Sequence, residues 1–217
     1  TLLTVINNVT TAVVGGATNT YVNGPMARWT AGTGDYNFPV GKPTGPYRVY
    51  RPAIIAPASA GATTYNVEYK TTLPAESLSN RFITGILNSE HWEIDRTSGS
   101  ANAIVKLDYI NPNNSNHWND IGPCFNCNVA IVKAYAVASD YWYFSNFQNS
   151  DVGFSSSLPE YRSHADNGLI WSKLISSFSP FTFGYTYNVI LPINLLTFKG
   201  RIQQEAARLE WTLSDNR

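Results

Sequence analysis

The sequence predicts an all-β protein built as an antiparallel β-sandwich with little helix. Three observations support this prediction. Apolar and polar residues alternate over several stretches, which is the pattern of a strand with one buried face. Clusters of Gly, Pro and Asn separate these stretches at intervals of about 8 to 12 residues. The chain has 217 residues, of which 43% are hydrophobic, so it can bury a sizeable core.

The first strands border a proline-rich stretch, Phe38–Ile55, which reads FPVGKPTGPYRVYRPAII. A strand is expected over Ala27–Val40. Pro43–Pro46 then supply a turn, because Gly adopts positive φ and Pro presets φ. A second strand is expected over Tyr47–Ile55. Pro52 has no N–H to donate, so it is expected at an edge, a strand start or a bulge.

The alternation is clearest over Thr63–Thr72 and His91–Arg96. Their apolar faces consist of Tyr65, Val67 and Tyr69 in the first stretch and Trp92 and Ile94 in the second. Ser98–Ser100 make a turn, after which Ala101–Tyr109 returns as another half-buried strand. Short strands at this spacing predict a sandwich of immunoglobulin-like or jelly-roll-like type.

The second half of the chain continues the pattern. Four further strands are expected, at Val129–Val137, Asp140–Phe147, Leu169–Ser177 and Phe181–Ile190. Arg201–Trp211 contains good helix formers, but Leu209, Trp211 and Leu213 alternate, which favours a turn near Arg201–Ala206 followed by a strand. We expect residues 1–190 to form the sandwich, and residues 191–217 to pack in cis or to be donated to a neighbouring subunit. Thr1–Val14 is a second candidate donor segment.

The composition excludes several classes of partner. Lys plus Arg equal Asp plus Glu at 15 each, which argues against nucleic acid, since nucleic-acid binding usually needs a basic stripe. No apolar run reaches the length of a membrane helix, so membrane insertion is not expected. Charged residues make up only 14% of the chain. No cofactor motif is present, and we expect no cofactor.

The only two cysteines, Cys124 and Cys127, form one C-x-x-C motif. A zinc site usually requires a second pair of ligands at matching spacing, and none follows. A thioredoxin-like motif belongs in a βαβ unit, whereas this one lies in an Asn/Gly/Pro-rich all-β context. A short disulfide closing a surface loop is the favoured interpretation. Two reduced structural thiols and a redox or metal site are the alternatives.

Three polar stretches are weak candidates for chemistry. Glu93 and Asp95 leave the same face of a predicted strand at a spacing that glycosidases use, but the alternation favours a solvated face. Glu160–Asp166 brings Ser, His and Asp together without a nucleophile elbow, so a solvated edge or loop is favoured. Asn111–Asp120 is rich in oxygen but poor in carboxylates, so an Asx-turn loop is favoured over a calcium site. We therefore expect a protein that is not an enzyme.

An aromatic stretch, Asp140–Phe147, is the most informative segment. Alternation directs Tyr141 and Tyr143 to one face and Trp142 and Phe144 to the other. A strand buried on both faces is the favoured interpretation. A subunit contact and a sugar-stacking surface are the alternatives, with Trp118 as a further candidate contact.

Several segments resemble large surface proteins of Bacteroidetes-type bacteria that are exported by the type IX secretion system. The resembling segments are Tyr21–Arg28 (YVNGPMAR), Asn37–Lys42 (NFPVGK), Glu90–Arg96 (EHWEIDR) and Ile175–Gly184 (ISSFSPFTFG). Leu191–Gly200 and Leu209–Ser214 resemble the start of the fibronectin type III-like module that often precedes the export signal. The resemblance carries no catalytic residue.

This resemblance implies a secreted or surface-attached β-protein. Together with the low charge, it predicts a non-catalytic extracellular domain with a structural or adhesive role. Such a domain would associate with itself or with other surface proteins through strand edges, and could build a surface filament. The alternative is a carbohydrate-binding module of a secreted multidomain protein, which would bind a glycan.

Overall fold

The computed structural model describes most of the N-terminal half of the chain and parts of the remainder. The described residues are 1–44, 47–72, 78–79, 85–87, 89–109, 127–134, 141–144, 161–163, 168–178, 180–187, 194–203 and 206–214. They are almost entirely strands, as predicted. One short 3-10 helix, Thr10–Ala12, is the helical element within these ranges, and no helix in them is long and apolar enough to cross a membrane.

Eighteen strands occur within the described ranges. In chain order they are β1 (Leu3–Val5), β2 (Met26–Thr30), β3 (Tyr36–Phe38), β4 (Gly41–Thr44), β5 (Tyr47–Tyr50), β6 (Ala53–Pro57), β7 (Thr63–Lys70), β8 (Leu78–Ser79), β9 (Gly85–Ile86), β10 (His91–Ser98), β11 (Ala103–Tyr109), β12 (Cys127–Ala134), β13 (Tyr141–Phe144), β14 (Tyr161–Ser163), β15 (Gly168–Trp171), β16 (Pro180–Tyr187), β17 (Asn194–Gln203) and β18 (Ala206–Ser214). The four strands predicted in the second half are present as β12, β13, β15 and β16, and β15 ends at Trp171, earlier than predicted. β17 continues to Gln203, so the first residues of the turn predicted at Arg201–Ala206 are strand.

Most of these strands belong to two sheets. The larger sheet has the order β1-β2-β7-β10-β16-β12-β13-β8, with β9 also paired to β16 and β14 to β12. The smaller sheet has the order β15-β11-β6-β3. Pairing is antiparallel except for β1 on β2 and β13 on β8, which are parallel. This architecture confirms the predicted all-β, sandwich-like fold.

The core lies between the two sheets. Tyr65, Val67 and Tyr69 of β7 are buried in strict alternation with less buried neighbours, which confirms the predicted period. Tyr109 of the small sheet meets Phe183 of the large sheet edge to face, with ring centroids 5.2 Å apart. Large aromatic side chains thus fill the space between the layers, where each contributes a large buried area.

The proline-rich stretch Phe38–Ile55 and the strand before it differ from their predictions. The single strand expected over Ala27–Val40 is broken into β2 and β3, which belong to different sheets. The turn-separated strand pair of the proline-rich stretch is β4 with β5, and β4 extends to Thr44, beyond the expected start of the turn. The second expected strand is interrupted before Pro52, so β5 and β6 belong to different sheets. Pro52 lies immediately before β6, so its missing N–H interrupts no ladder hydrogen bond. Its position agrees with the expected strand start.

The segment after Ser98–Ser100 also differs from a simple return strand. β11 does not pair with β10; it lies between β6 and β15 in the small sheet. The chain therefore crosses from one layer to the other at this turn. Both β10 and β11 point their apolar residues into the same core. The alternation seen in the sequence therefore does not require the two strands to form a hairpin.

The chain divides into two compact units, Thr1–Tyr187 and Asn188–Arg217. The second unit contains an antiparallel ladder of β17 and β18 with a bulge between Leu195 and Thr197. By the two-residue period of strands, one side of this ladder carries only apolar residues and glycine. These positions are Leu195, Phe198, Gly200 and Ile202 on β17 and Ala207, Leu209, Trp211 and Leu213 on β18.

Candidate functional site

The predicted aromatic contact segment lies in the large sheet as β13. Its backbone pairs with β12 from Ala134↔Trp142 to Val132↔Phe144 and with β8 on the other side. The structure describes the backbone of this segment but not its side chains, which are those of Tyr141, Trp142, Tyr143 and Phe144. Trp118 lies outside the described residues. The neighbouring strand β12 is buried on both faces, because Val129–Ala134 are all buried. Whether β13 is buried on both faces, forms a subunit contact or stacks on a sugar stays a prediction.

The predicted disulfide remains a prediction. Cys124 lies outside the described residues. Cys127 begins β12 and its backbone pairs with Tyr187, but its side chain is not described.

The Glu93 and Asp95 pair lies on the outer face of the large sheet. The Glu93 side chain is 39% exposed. Its Oε1 lies 3.2 Å from His91 Nε2. Asp95 is exposed. Its pKa is raised by two causes: partial desolvation, which is the larger, and the nearby Glu93 carboxylate. A glycosidase would need both carboxylates in a cleft. Their position on a regular ladder beside Glu68 and Asn66 favours an exposed charged face.

The other polar candidates fall largely outside the description. Asn111–Asp120 is not described, and of Glu160–Asp166 only the backbone of Tyr161–Ser163 is, as β14. Within the described ranges, no cluster of three or more His, Cys, Asp or Glu could hold a metal ion.

A buried ion pair joins the start of the small sheet to the large one. Arg51 Nε lies 3.1 Å from Glu90 Oε2, and both side chains are almost fully buried. The same carboxylate oxygen accepts a hydrogen bond of 2.6 Å from the Tyr69 hydroxyl. Trp92 Nε1 donates to the Arg51 carbonyl oxygen at 3.1 Å. Burial acts to lower the pKa of Arg51, but the neighbouring Glu90 and Tyr69, with Asp108, raise it overall. The carboxylate is held by donors inside the protein, which indicates a structural role.

A second buried cation, Lys133, lies in the middle of β12. It is 2% exposed, and its Nζ lies 3.3 Å from the Ala134 carbonyl oxygen and 3.2 Å from Ser177 Oγ. Desolvation lowers the pKa of Lys133 to about 8. Alternation of apolar and polar residues along a strand predicts that a lysine faces water. The burial of Lys133 therefore cannot be recognised from the sequence pattern alone.

Lys133 should make stability depend on pH. Its pKa is lower in the folded state than in the unfolded chain, so unfolding takes up a proton between the two values. The contribution of Lys133 to the free energy of unfolding is therefore expected to rise by about 2 kcal/mol from pH 8 to pH 10. Above pH 10 the trend in overall stability should reverse, because burial raises the pKa of Tyr65 to about 12. Denaturant titrations of wild type and Lys133→Met across pH 7–10 test this prediction. The difference between their free energies of unfolding should change with pH. A constant difference would contradict a lowered pKa at Lys133.

The most exposed apolar surface follows the N-terminal border of the large sheet. We call this surface the N-terminal border; its exposed aliphatic residues are Leu2, Leu3, Ile6 and Val9. Leu2 is 53% exposed, Leu3 46% and Ile6 68%. The first charged residue of the chain is Arg28, so the border carries no side-chain charge. Within the described ranges, β2 is the only strand that pairs with β1, which leaves the outer side of β1 open.

The N-terminal border is held in place by buried side chains of its own sandwich. Arg28 is completely buried, and its guanidinium donates to the carbonyl oxygens of Asn37 at 2.8 Å, Val9 at 3.0 Å and Thr10 at 3.3 Å. The guanidinium carbon lies 5.1 Å from the centre of the Tyr36 ring. Desolvation lowers the pKa of Arg28.

Tyr36 adds a further anchor. Its hydroxyl donates to the Asn8 carbonyl oxygen at 2.9 Å and lies 3.3 Å from the backbone nitrogen of Ala31. The segment proposed from sequence as a strand donor thus occupies the edge of its own sheet. The β-branched residues of Thr1–Val14 were the sequence signal for this surface, whereas its anchoring by Arg28 had no sequence signal.

The comparisons with known proteins return no relative. No protein family, curated protein or solved structure matches this chain. The site and the fold therefore carry the functional argument.

Proposed function

We propose that this protein is a non-catalytic structural or adhesive β-domain that associates with copies of itself through the N-terminal border. An extracellular or cell-surface setting, with export by the type IX route, is part of the proposal and rests on the sequence resemblance. The observation that carries the proposal is the uncharged border strand β1, with half-exposed aliphatic residues along it.

Edge strands usually carry features that prevent pairing. Lysine, proline, bulges or inward-pointing charges are the common ones, because an unpaired edge offers N–H and C=O groups to any extended chain. The three residues of β1 are Leu, Thr and Val, and no charged residue precedes Arg28. An apolar edge without charge supports a role in contact with another chain.

The second unit contains a separate candidate for contact with a neighbouring subunit. A lone two-stranded ladder is marginally stable in water, and one side of the β17–β18 ladder is wholly apolar by register. Cover from further polypeptide would stabilise such a ladder. Packing in cis and donation to a neighbouring subunit both provide it, and both remain predictions.

The test introduces a charge at the border. Leu3→Lys combined with Ile6→Lys is expected to abolish self-association, because each lysine would have to be buried in the contact. Sedimentation velocity and negative-stain electron microscopy of the full chain over a range of concentrations measure this. Leu174→Lys is the matched control, since Leu174 is equally exposed at 54% but lies outside the border.

The expected result is assembly of wild type and of the Leu174→Lys variant, and monomers for the border variant. A wild-type chain that stays monomeric at the highest concentration, or assembly that survives the two border lysines, overturns the proposal.

A further inference from the structure

We propose that a groove at the end of the large sheet where β2 and β10 finish and β7 begins, beside Trp29, binds one sugar ring of a neutral glycan. The groove has a volume of about 160 Å³ and is lined by residues of β2, β7 and β10, by the residue after β2 and the residue before β7, and by Asn8 of the N-terminal segment. Its lining residues are Asn8, Trp29, Thr30, Ala31, Ala62, Thr63, Thr64 and Ser98. This location differs from the aromatic segment of β13 that the sequence suggested for sugar stacking.

The register of three strands builds the binding surface. Trp29 of β2 pairs with Thr64 of β7, and Thr64 pairs with Ser98 of β10. The three residues therefore form one row across the sheet, an indole followed by two hydroxyls, with neighbouring strands about 4.8 Å apart. Trp29 is 51% exposed although it is among the largest apolar side chains of the protein.

The chemistry of the lining matches a sugar ring. A pyranose has an apolar C–H face, which packs on an exposed indole, and a rim of hydroxyls, which need partners that both donate and accept. Thr64 and Ser98 offer hydroxyls of that kind, and Asn8 offers an amide with both functions. No residue of the lining is charged, which favours a neutral ligand over an acidic glycan or a charged peptide. The volume is below the roughly 300–1,000 Å³ of pockets for larger ligands, which favours a single ring.

The polar wall is fixed before any ligand binds. A bulge between Arg96 and Ser98 shifts the register of β10, and Ser98 Oγ then donates to Thr64 Oγ1 at 2.9 Å. Bulges commonly re-aim side chains at functional sites. Arg96 donates to the carbonyl oxygens of Ser100 at 3.2 Å and Ala101 at 3.0 Å, which holds the turn behind Ser98.

The opposite wall and the floor are also held by hydrogen bonds. The Thr30 hydroxyl donates to the Thr63 carbonyl oxygen at 3.0 Å, and both residues are buried. The Gly61 N–H donates to the Ala31 carbonyl oxygen at 3.1 Å. Tyr36 holds the Asn8 backbone, as described above. A groove whose walls are preformed loses little conformational freedom on binding, which favours weak ligands such as single sugar rings.

The experiment measures binding of neutral oligosaccharides to the full chain. Calorimetry and saturation-transfer NMR are run with tetrasaccharides of glucose, mannose, galactose and N-acetylglucosamine, and with a sialylated and a sulfated glycan as the charged arm. Trp29→Ala is expected to weaken binding at least about tenfold, whereas Trp29→Phe keeps an aromatic platform and should retain most of it. Leu174→Ala removes an equally exposed apolar side chain elsewhere and should leave binding unchanged.

The outcomes separate clearly. Binding of at least one neutral tetrasaccharide that is lost in Trp29→Ala and retained in both other variants supports the proposal. It is overturned by no neutral binding up to about 10 mM, by binding that is unaffected in Trp29→Ala, or by binding of the charged glycans alone. Because Trp29 is half exposed, its replacement should leave the unfolding midpoint close to that of wild type, which confirms that any loss is local. Self-association through the N-terminal border is measured separately, so either proposal can fail without the other.

Discussion

Replacing Arg51 by methionine is expected to lower the free energy of unfolding by about 3–5 kcal/mol. Methionine fills a similar volume, so the cost is mainly electrostatic. Glu90 would keep its charge in the core without the guanidinium that lies 3.1 Å away. Equilibrium denaturation in urea at pH 7 measures the change.

A double-mutant cycle isolates the ion pair from packing. Glu90→Gln removes the charge and keeps an oxygen that can accept from the Tyr69 hydroxyl, which now donates at 2.6 Å. The double variant, Arg51→Met with Glu90→Gln, is expected to be clearly more stable than the sum of the single changes predicts, because it leaves no charge unpaired. Additive effects would show that the two side chains are not coupled, contrary to the geometry.

Replacing Gly99 by alanine is expected to lower the free energy of unfolding by about 3 kcal/mol. Gly99 has φ of +77°, a conformation that alanine adopts only with strain. A Cβ at this position would also collide with the Ala62 carbonyl oxygen and with Thr63. The obstructing atoms include backbone of the adjoining loop and strand, which cannot rotate away as a flexible side chain would.

Gly15 provides the matched control for this change. Its φ is +79°, almost equal to that of Gly99, but nothing lies within 4 Å of a Cβ built there. Gly15→Ala should therefore show the backbone strain alone, about 1 kcal/mol. Thermal and denaturant unfolding of the two variants measure the difference. Equal costs at the two positions would mean that the turn at Gly99 moves aside without loss.

The candidate surfaces could be predicted only in part. Thr1–Val14 was identified from its sequence as a candidate for strand donation, because it is rich in β-branched residues. Trp29 was not singled out, because one tryptophan in a strand is usually part of a core. Its exposure depends on which face of β2 meets the small sheet. The pairing of Thr64 with both Trp29 and Ser98, which makes the groove, joins strands that are far apart in the chain.

The sequence by itself determined that the chain is built of strands and, in several of them, which residues face the core. Tyr65, Val67 and Tyr69 were assigned to the buried side of β7 because the side-chain period of a strand is local and needs no knowledge of its neighbours. The turn chemistry around Gly99 is local in the same sense.

Only the tertiary structure decided which sheet each strand joins, and therefore which polar side chains are buried. The layer change between β10 and β11, the parallel pairing of β1 on β2, and the burial of Arg28, Arg51 and Lys133 all follow from contacts between distant segments. Strand pairing is set by the total area buried and by the backbone hydrogen bonds that can be satisfied across the whole sheet. Neither quantity can be read from a short stretch of residues.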